Sequence, residues 1–249
     1  MGTESPTLDL LERLAAAPDR MTFDALVRQV GLPPNVLRGR LKQLVDRGWV
    51  DARPADGLDR ATFAIGVAAL RPGSAFLGGD RAVRLAGPVL SRARDQVDES
   101  FRLVRLDGTA IVCLAGREAT HDLVGPVVGK RMPAHGPASG RAILAHRSRA
   151  EVEAILDQGI EAHTVDSVVD RAALFDELAE CRARGWAYER GQMVPGVGCI
   201  AAAVPSTSGP VTDAISCVVP LARLTDDHAE EVAACVLRAS RDLATALQG

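Results

Sequence analysis

No stretch of the 249 residues approaches the ~18 consecutive apolar residues of a membrane-crossing helix, so no membrane partner is expected. Residues 1–10 show no basic segment followed by an apolar run, which points away from a secretion signal and toward the cytoplasm. There is no Cys-x-x-Cys pair, and five cysteines are an odd count; a disulfide framework or a zinc knuckle is therefore not expected, and free thiols are. His121, His146, His163 and His228 show no metal-ligand spacing, so neither metal nor cofactor is predicted. Excess positive charge is missing too. The formal net charge is −3, and over residues 1–70 nine Lys and Arg meet nine Asp and Glu. Any affinity for nucleic acid must then come from local clustering, because phosphate contacts supply much of it.

What is there is the composition of a soluble globular protein, 47% hydrophobic and 24% charged. The length exceeds the ~100–200 residues of one domain and predicts two. The most informative stretch is residues 22–50. From Thr22, placed to cap a helix, Phe23, Leu26, Val27 and Val30 recur at the spacing of one buried helical face, until Gly31 breaks it. After Leu32, Pro33 and Pro34, a second period of Leu37, Leu41, Leu44 and Val45 closes at Gly48. Two short helices around a Gly-containing turn, the second carrying Arg38, Arg40 and Lys42 outside its core stripe, predict a helix-turn-helix with its second helix in a DNA major groove. The cations would meet phosphates of double-stranded DNA while Asn35 and Gln43 reach base edges. An ordinary helical hairpin is the bland alternative. Leu8, Leu11, Leu14 and Ala15 predict a preceding helix, ended by Pro18. Residues 49–53 and 61–65 can pair as a wing around Pro54-Ala55-Asp56-Gly57.

Pro72, Gly73, Ser74, Gly78 and Gly79 mark a boundary or a broken linker helix. Beyond it, Val83, Ala86, Val89 or Leu90, Ala93 and Val97 predict a helix that survives Pro88. Two β-like runs follow, 101–106 and 110–114, joined by the hairpin signal Asp107-Gly108. Residues 137–146 read as a helix opening on Ala138, Ser139 and Gly140, and 149–158 as another. Asp170 can cap a helix over 171–184 that Gly185 closes. A short strand at 186–189, a loop at 191–198, strands at 199–204 and 211–219, and a last helix from Thr225 complete an α+β domain with an antiparallel sheet flanked by helices.

Two segments carry a family resemblance. The run Met132-Pro133-Ala134-His135-Gly136-Pro137-Ala138-Ser139-Gly140-Arg141-Ala142-Ile143-Leu144-Ala145 resembles the "PLHATASGKAILA" segment of the IclR family of bacterial transcription regulators. Arg184-Gly185-Trp186-Ala187, Pro195-Gly196-Val197, Cys199-Ile200-Ala201-Ala202, Gly209 and Ile215-Ser216 are similar, in order and spacing, to that family's "RGYA…PGV.CIAAPV…G…AIS" signature. The resemblance spans nearly the whole chain. It implies a winged helix-turn-helix (residues 1–68), a linker (69–80) and a GAF-like effector-binding domain (81–249), working as a homodimer or homotetramer. It also implies a small-molecule effector, often an organic acid or an aromatic degradation intermediate.

The departures fall in the DNA-binding head. Where the family's recognition helix commonly reads "KSTVHRLL", this chain has Gly39 in place of an arginine, and the wing ends Phe63-Ala64-Ile65-Gly66 where "YRLG" is common. Gln192 stands where an acidic residue is frequent. In the effector domain the resemblance brings the helix start at Ala138, Ser139, Gly140 and Arg141 against the loop before Cys199 and the strand bearing Ser216. Met193 and Ile200 are expected as apolar walls. Helix-start N–H groups suit a carboxylate; the plainer alternative is that the small residues serve close helix packing. The leading reading is a ligand-responsive DNA-binding regulator and not an enzyme. The alternatives are a small-molecule or partner-binding module with a weakened head and, more remotely, a cysteine enzyme using Cys199 and His135.

Overall fold

Thr22 caps its helix as its position suggests, its Oγ1 accepting the Ala25 N–H at 3.3 Å. In the computed structural model, residues 5–54, 57–121 and 128–249 are described, so Ala55 and Asp56 of the expected wing turn lie outside the described residues. The chain divides into two compact units, residues 1–79 and 80–249.

The first unit runs α1 (Pro6–Ala16), β1 (Met21–Thr22), α2 (Phe23–Val30), α3 (Pro34–Asp46), β2 (Val50–Arg53), β3 (Thr62–Ile65), a 3-10 turn (Val67–Ala69) and α4 (Leu70–Gly79). Gly31 adopts the left-handed φ of 69° that ends α2. Helices of 8 to 13 residues are marginal alone. They are held by a shared core of Leu10, Leu14, Phe23, Leu26, Leu37, Leu41, Leu44 and Phe63, each large side chain contributing on the order of 1.5–3 kcal/mol on burial. The stripe expected on α1 is shifted. Leu10 and Leu14 face the core while Leu8 is 59% exposed, because leucines at 8, 10, 11 and 14 fit two helical faces and packing selects one. The three strands pair antiparallel in the order β1-β3-β2. Arg20 locks them: its guanidinium donates to Thr62 Oγ1, Asp51 Oδ2 and the Asp51 and Thr62 carbonyls at 2.7–3.0 Å. Despite Pro72 and its glycines, α4 is one continuous helix, and none of its residues is buried.

The second unit opens with α5 (Arg81–Val97), capped by Asp80, whose Oδ1 accepts the Val83 N–H at 3.0 Å. It continues through β4 (Ser100–Asp107), β5 (Ala110–Arg117), β6 (Arg131–Pro133), α6 (Ala138–Leu144), α7 (Arg149–Leu156), α8 (Arg171–Arg184), β7 (Ala187–Arg190), β8 (Val197–Ala203), β9 (Asp213–Pro220) and α9 (Asp226–Gln248). The strands form one antiparallel sheet in the order β6-β5-β4-β9-β8-β7. Because successive side chains of a strand point to opposite faces, β8 and β9 divide their residues between two cores. Ile200, Ala202, Ile215, Cys217 and Val219 pack with α5 and α9. Cys199, Ala201 and Ala214 pack with α6 and α8. β6 was not legible as a strand, being three residues long and paired only at the sheet edge.

Candidate functional site

In the head, Leu37, Leu41 and Leu44 turn α3 toward the core and leave Asn35, Arg38, Gly39, Lys42 and Gln43 exposed. The space around Gly39 is open, with no heavy atom within 4 Å of where a Cβ would stand. The cations of α3 have partners inside the head. Arg38 donates from Nε (3.1 Å) and Nη2 (2.6 Å) to Asp59 Oδ1 on the wing, and its guanidinium lies 5.3 Å from the Phe23 ring centre. Lys42 pairs with Asp46 one turn on, at 2.9 Å. Arg40 is half-buried and donates to Thr7 Oγ1 at 2.5 Å, which directs it toward α1. Exposed cations that the sequence reading passed over are Arg47, at the end of α3, and Arg60, beside Asp59; neither has an ion-pair partner among the described residues. Only their position in the fold distinguishes them from other surface arginines.

In the second unit, three of the expected ligand residues converge from separate segments. Cys199 lies on β8 and Ser216 on the adjacent β9, on the same sheet face. The Ser216 hydroxyl and the Ser139 backbone N–H both act on the Cys199 thiol, opposing the effect of its burial. All three residues are buried, as are Ala138 and Arg141. Met193 lies over the segment preceding α6, its Sδ 2.3 Å from where a Cβ on Gly136 would stand.

Two expected members play other parts. Ile200 neighbours Cys199 in sequence and therefore points to the opposite face, into the α5 and α9 core. It is not a wall of this cluster. A Cβ on Gly140 would stand 1.9 Å from the Ala134 carbonyl oxygen, so the missing side chain there serves close backbone packing. Arg141 donates from Nε to the His135 carbonyl at 2.9 Å and pairs through Nη1 with Glu177. The residue missed from sequence is Glu189 on β7, buried beside this cluster. Burial raises its pKa above the ordinary carboxylate value, opposed by backbone N–H groups of Gln192 and Met193 and by the Arg141 charge. A cavity of about 260 Å³ on this side is lined by Arg141, Glu177, Cys181, Tyr188, Glu189 and Gln192, among others. Carboxylates are rarely buried, and a lone Glu in a short expected strand carries no sequence signal that this one is.

This chemistry suits binding better than covalent catalysis. Burial and the neighbouring Glu189 push the Cys199 thiol well above its ordinary value, the opposite of what a nucleophilic thiolate needs. His135 does not stand as its base: burial lowers its pKa, and its ring Nε2 is buried without a hydrogen-bond partner. The five cysteines are buried free thiols. Among the described residues, no helix is long and apolar enough to cross a membrane.

A winged helix-turn-helix joined to a sheet domain with a buried polar cluster defines a ligand-responsive transcription regulator. The family models agree: residues 7–54 match the IclR helix-turn-helix domain and residues 77–245 the C-terminal domain of bacterial transcriptional regulators of the IclR type. The chain belongs to the IclR family. It is 30% identical over 239 residues to the HTH-type transcriptional regulator BhcR of Paracoccus denitrificans, covering 95% of this chain and 84% of that protein. It is 28% identical to the transcriptional repressor IclR of Escherichia coli, covering 97% and 88%. Among solved structures it resembles an IclR homolog from Microbacterium hydrocarbonoxydans complexed with 4-hydroxybenzoate, with a TM-score of 0.77, 23% identity and 98% coverage of both chains.

Proposed function

We propose that the effector is a small carboxylic acid and that it binds at Ser139, Cys199 and Ser216, with Glu189 and Met193 beside it. The observation that carries this reading is the placement of two donors, the Ser139 N–H and the Ser216 hydroxyl, near enough to one buried thiol to favour its charged form. A carboxylate offers a stronger acceptor than sulfur to both donors. Ala138, Ala142, Ala201 and Ala214 on the same core keep the surroundings small and apolar, as suits a short carbon skeleton. The 4-hydroxybenzoate bound by the Microbacterium homolog is of this chemical class. On the DNA side, we propose that Asn35 and Gln43 read base edges, that Arg38 and Lys42 meet phosphates, and that residues 69–80 link head and effector domain. Arg40, turned toward α1, has the weaker claim. Self-association belongs to the same reading: a winged head without net charge gains from a second head on the same duplex.

Thermal melts with 4-hydroxybenzoate and a panel of short carboxylic acids test the pocket. An acid at a hundred times its dissociation constant stabilises the folded state by ~2.7 kcal/mol. Ser216→Ala is expected to weaken that binding by ~0.5–1.5 kcal/mol, the worth of one hydrogen bond. A shift of full size in Ser216→Ala and in Cys199→Val, or no shift with any acid, contradicts the assignment.

A further inference from the structure

We propose that Asp59 on the wing is a specificity-determining residue that holds Arg38 away from DNA phosphates and thereby suppresses binding to DNA of the wrong sequence. The inference rests on the reading of α3 as the helix that meets DNA. Asp59 Oδ1 accepts from both Nε and Nη2 of Arg38, one edge of the guanidinium fork. That is an edge through which arginine grips a phosphate with two parallel hydrogen bonds. Carboxylate and phosphate therefore compete for the same donors. The guanidinium also lies over the Phe23 ring, which further limits where it can swing.

The pair is built to be exchanged. Its side chains are 45% and 65% exposed, and exposed ion pairs are weak. A duplex that offers Asn35 and Gln43 their base contacts holds α3 in place long enough for a phosphate to displace Asp59. A duplex that does not leaves Arg38 on the wing. With no net charge over residues 1–70, no general attraction to DNA masks the contribution of one such arginine. Withholding it lowers the background more than the specific complex, which is discrimination by a repulsive element.

The test is equilibrium binding of the full chain to a duplex of mixed sequence, across a range of salt concentrations, for wild type, Asp59→Asn, Arg38→Gln and the double variant. Asp59→Asn keeps the shape and removes the competing charge. It is expected to tighten binding by roughly two- to tenfold near 0.1 M salt and to steepen the salt slope by about 0.9, one additional phosphate contact. The same substitution on the Arg38→Gln background is expected to change nothing. A gain that persists without Arg38 shows only long-range charge and overturns the proposal. So does weaker binding in Asp59→Asn, which makes Asp59 a support that presents Arg38 to DNA. Asn35→Ala and Lys42→Ala separate the two levels. If they weaken binding while Asp59→Asn is silent, the competition alone fails. If they too are silent, α3 is not the DNA-contacting helix.

Discussion

At the scale of single residues, Glu189 and Gly140 show what sequence reading captures and what it misses. Glu189 is buried with its pKa raised, chiefly by desolvation. Its carboxyl therefore binds its proton more tightly in the folded chain than in the unfolded one, where the ordinary value is 4.5. The stabilisation from that tighter binding is full at low pH and is lost as pH rises through the folded-state value. Glu189→Gln imitates the protonated form and still offers an oxygen to the Gln192 N–H. It is expected to melt above wild type at neutral pH, with the gap closing below the ordinary value of 4.5. A gap that opens only in acid contradicts the sign. Nothing in the local pattern around Glu189 tells a strand position facing a core from one facing water. Gly140 was legible as a site where only a small residue fits, with packing as the alternative to ligand approach. The close neighbour is the chain's own Ala134 carbonyl, a contact that spacing cannot show.

At the scale of elements, the helices of the head were legible because caps and stops agree with periodicity: Thr22 and Gly31 bound α2, and Gly48, at φ 73°, follows α3. In the effector domain, Asp170 and Thr225 cap α8 and α9 as expected, and Asp107-Gly108 joins β4 to β5. The α1 stripe was misplaced because four leucines in seven residues satisfy two faces. Ile200 was misplaced by setting aside the two-residue alternation of β8, which sends neighbours to opposite sides of the sheet. The α4 helix was half legible: its breakers read as a boundary, yet it is unbroken. It leaves Leu70 67% and Phe76 49% exposed, apolar side chains of this size that gain when a partner covers them. Light scattering at micromolar concentration is expected to find a dimer or larger species, and Leu70→Glu with Phe76→Glu to shift it toward monomer. A wild-type monomer, unaltered by DNA, contradicts self-association.

At the scale of the whole molecule, the two units have separate cores, and with the proposed DNA and effector sites in different units, regulation is a coupling free energy between them. Such couplings amount to ~1–3 kcal/mol, five- to 150-fold in affinity, and act equally in both directions. β9 carries Ser216 of the proposed effector site and, three residues earlier, Asp213. Arg105 bridges Asp213, at 2.7 Å, to Asp80, the first residue of the second unit. The most direct measurement is a fluorescence-anisotropy titration of the full chain on a duplex covering the sequence upstream of its own gene. It is run with and without a saturating amount of the acid that shifts the melt, in wild type and in Ser216→Ala. The account predicts that the acid changes the dissociation constant for DNA at least fivefold in wild type, and that Ser216→Ala needs more acid for the same change. An unchanged dissociation constant in wild type, or an identical acid dependence in Ser216→Ala, contradicts it.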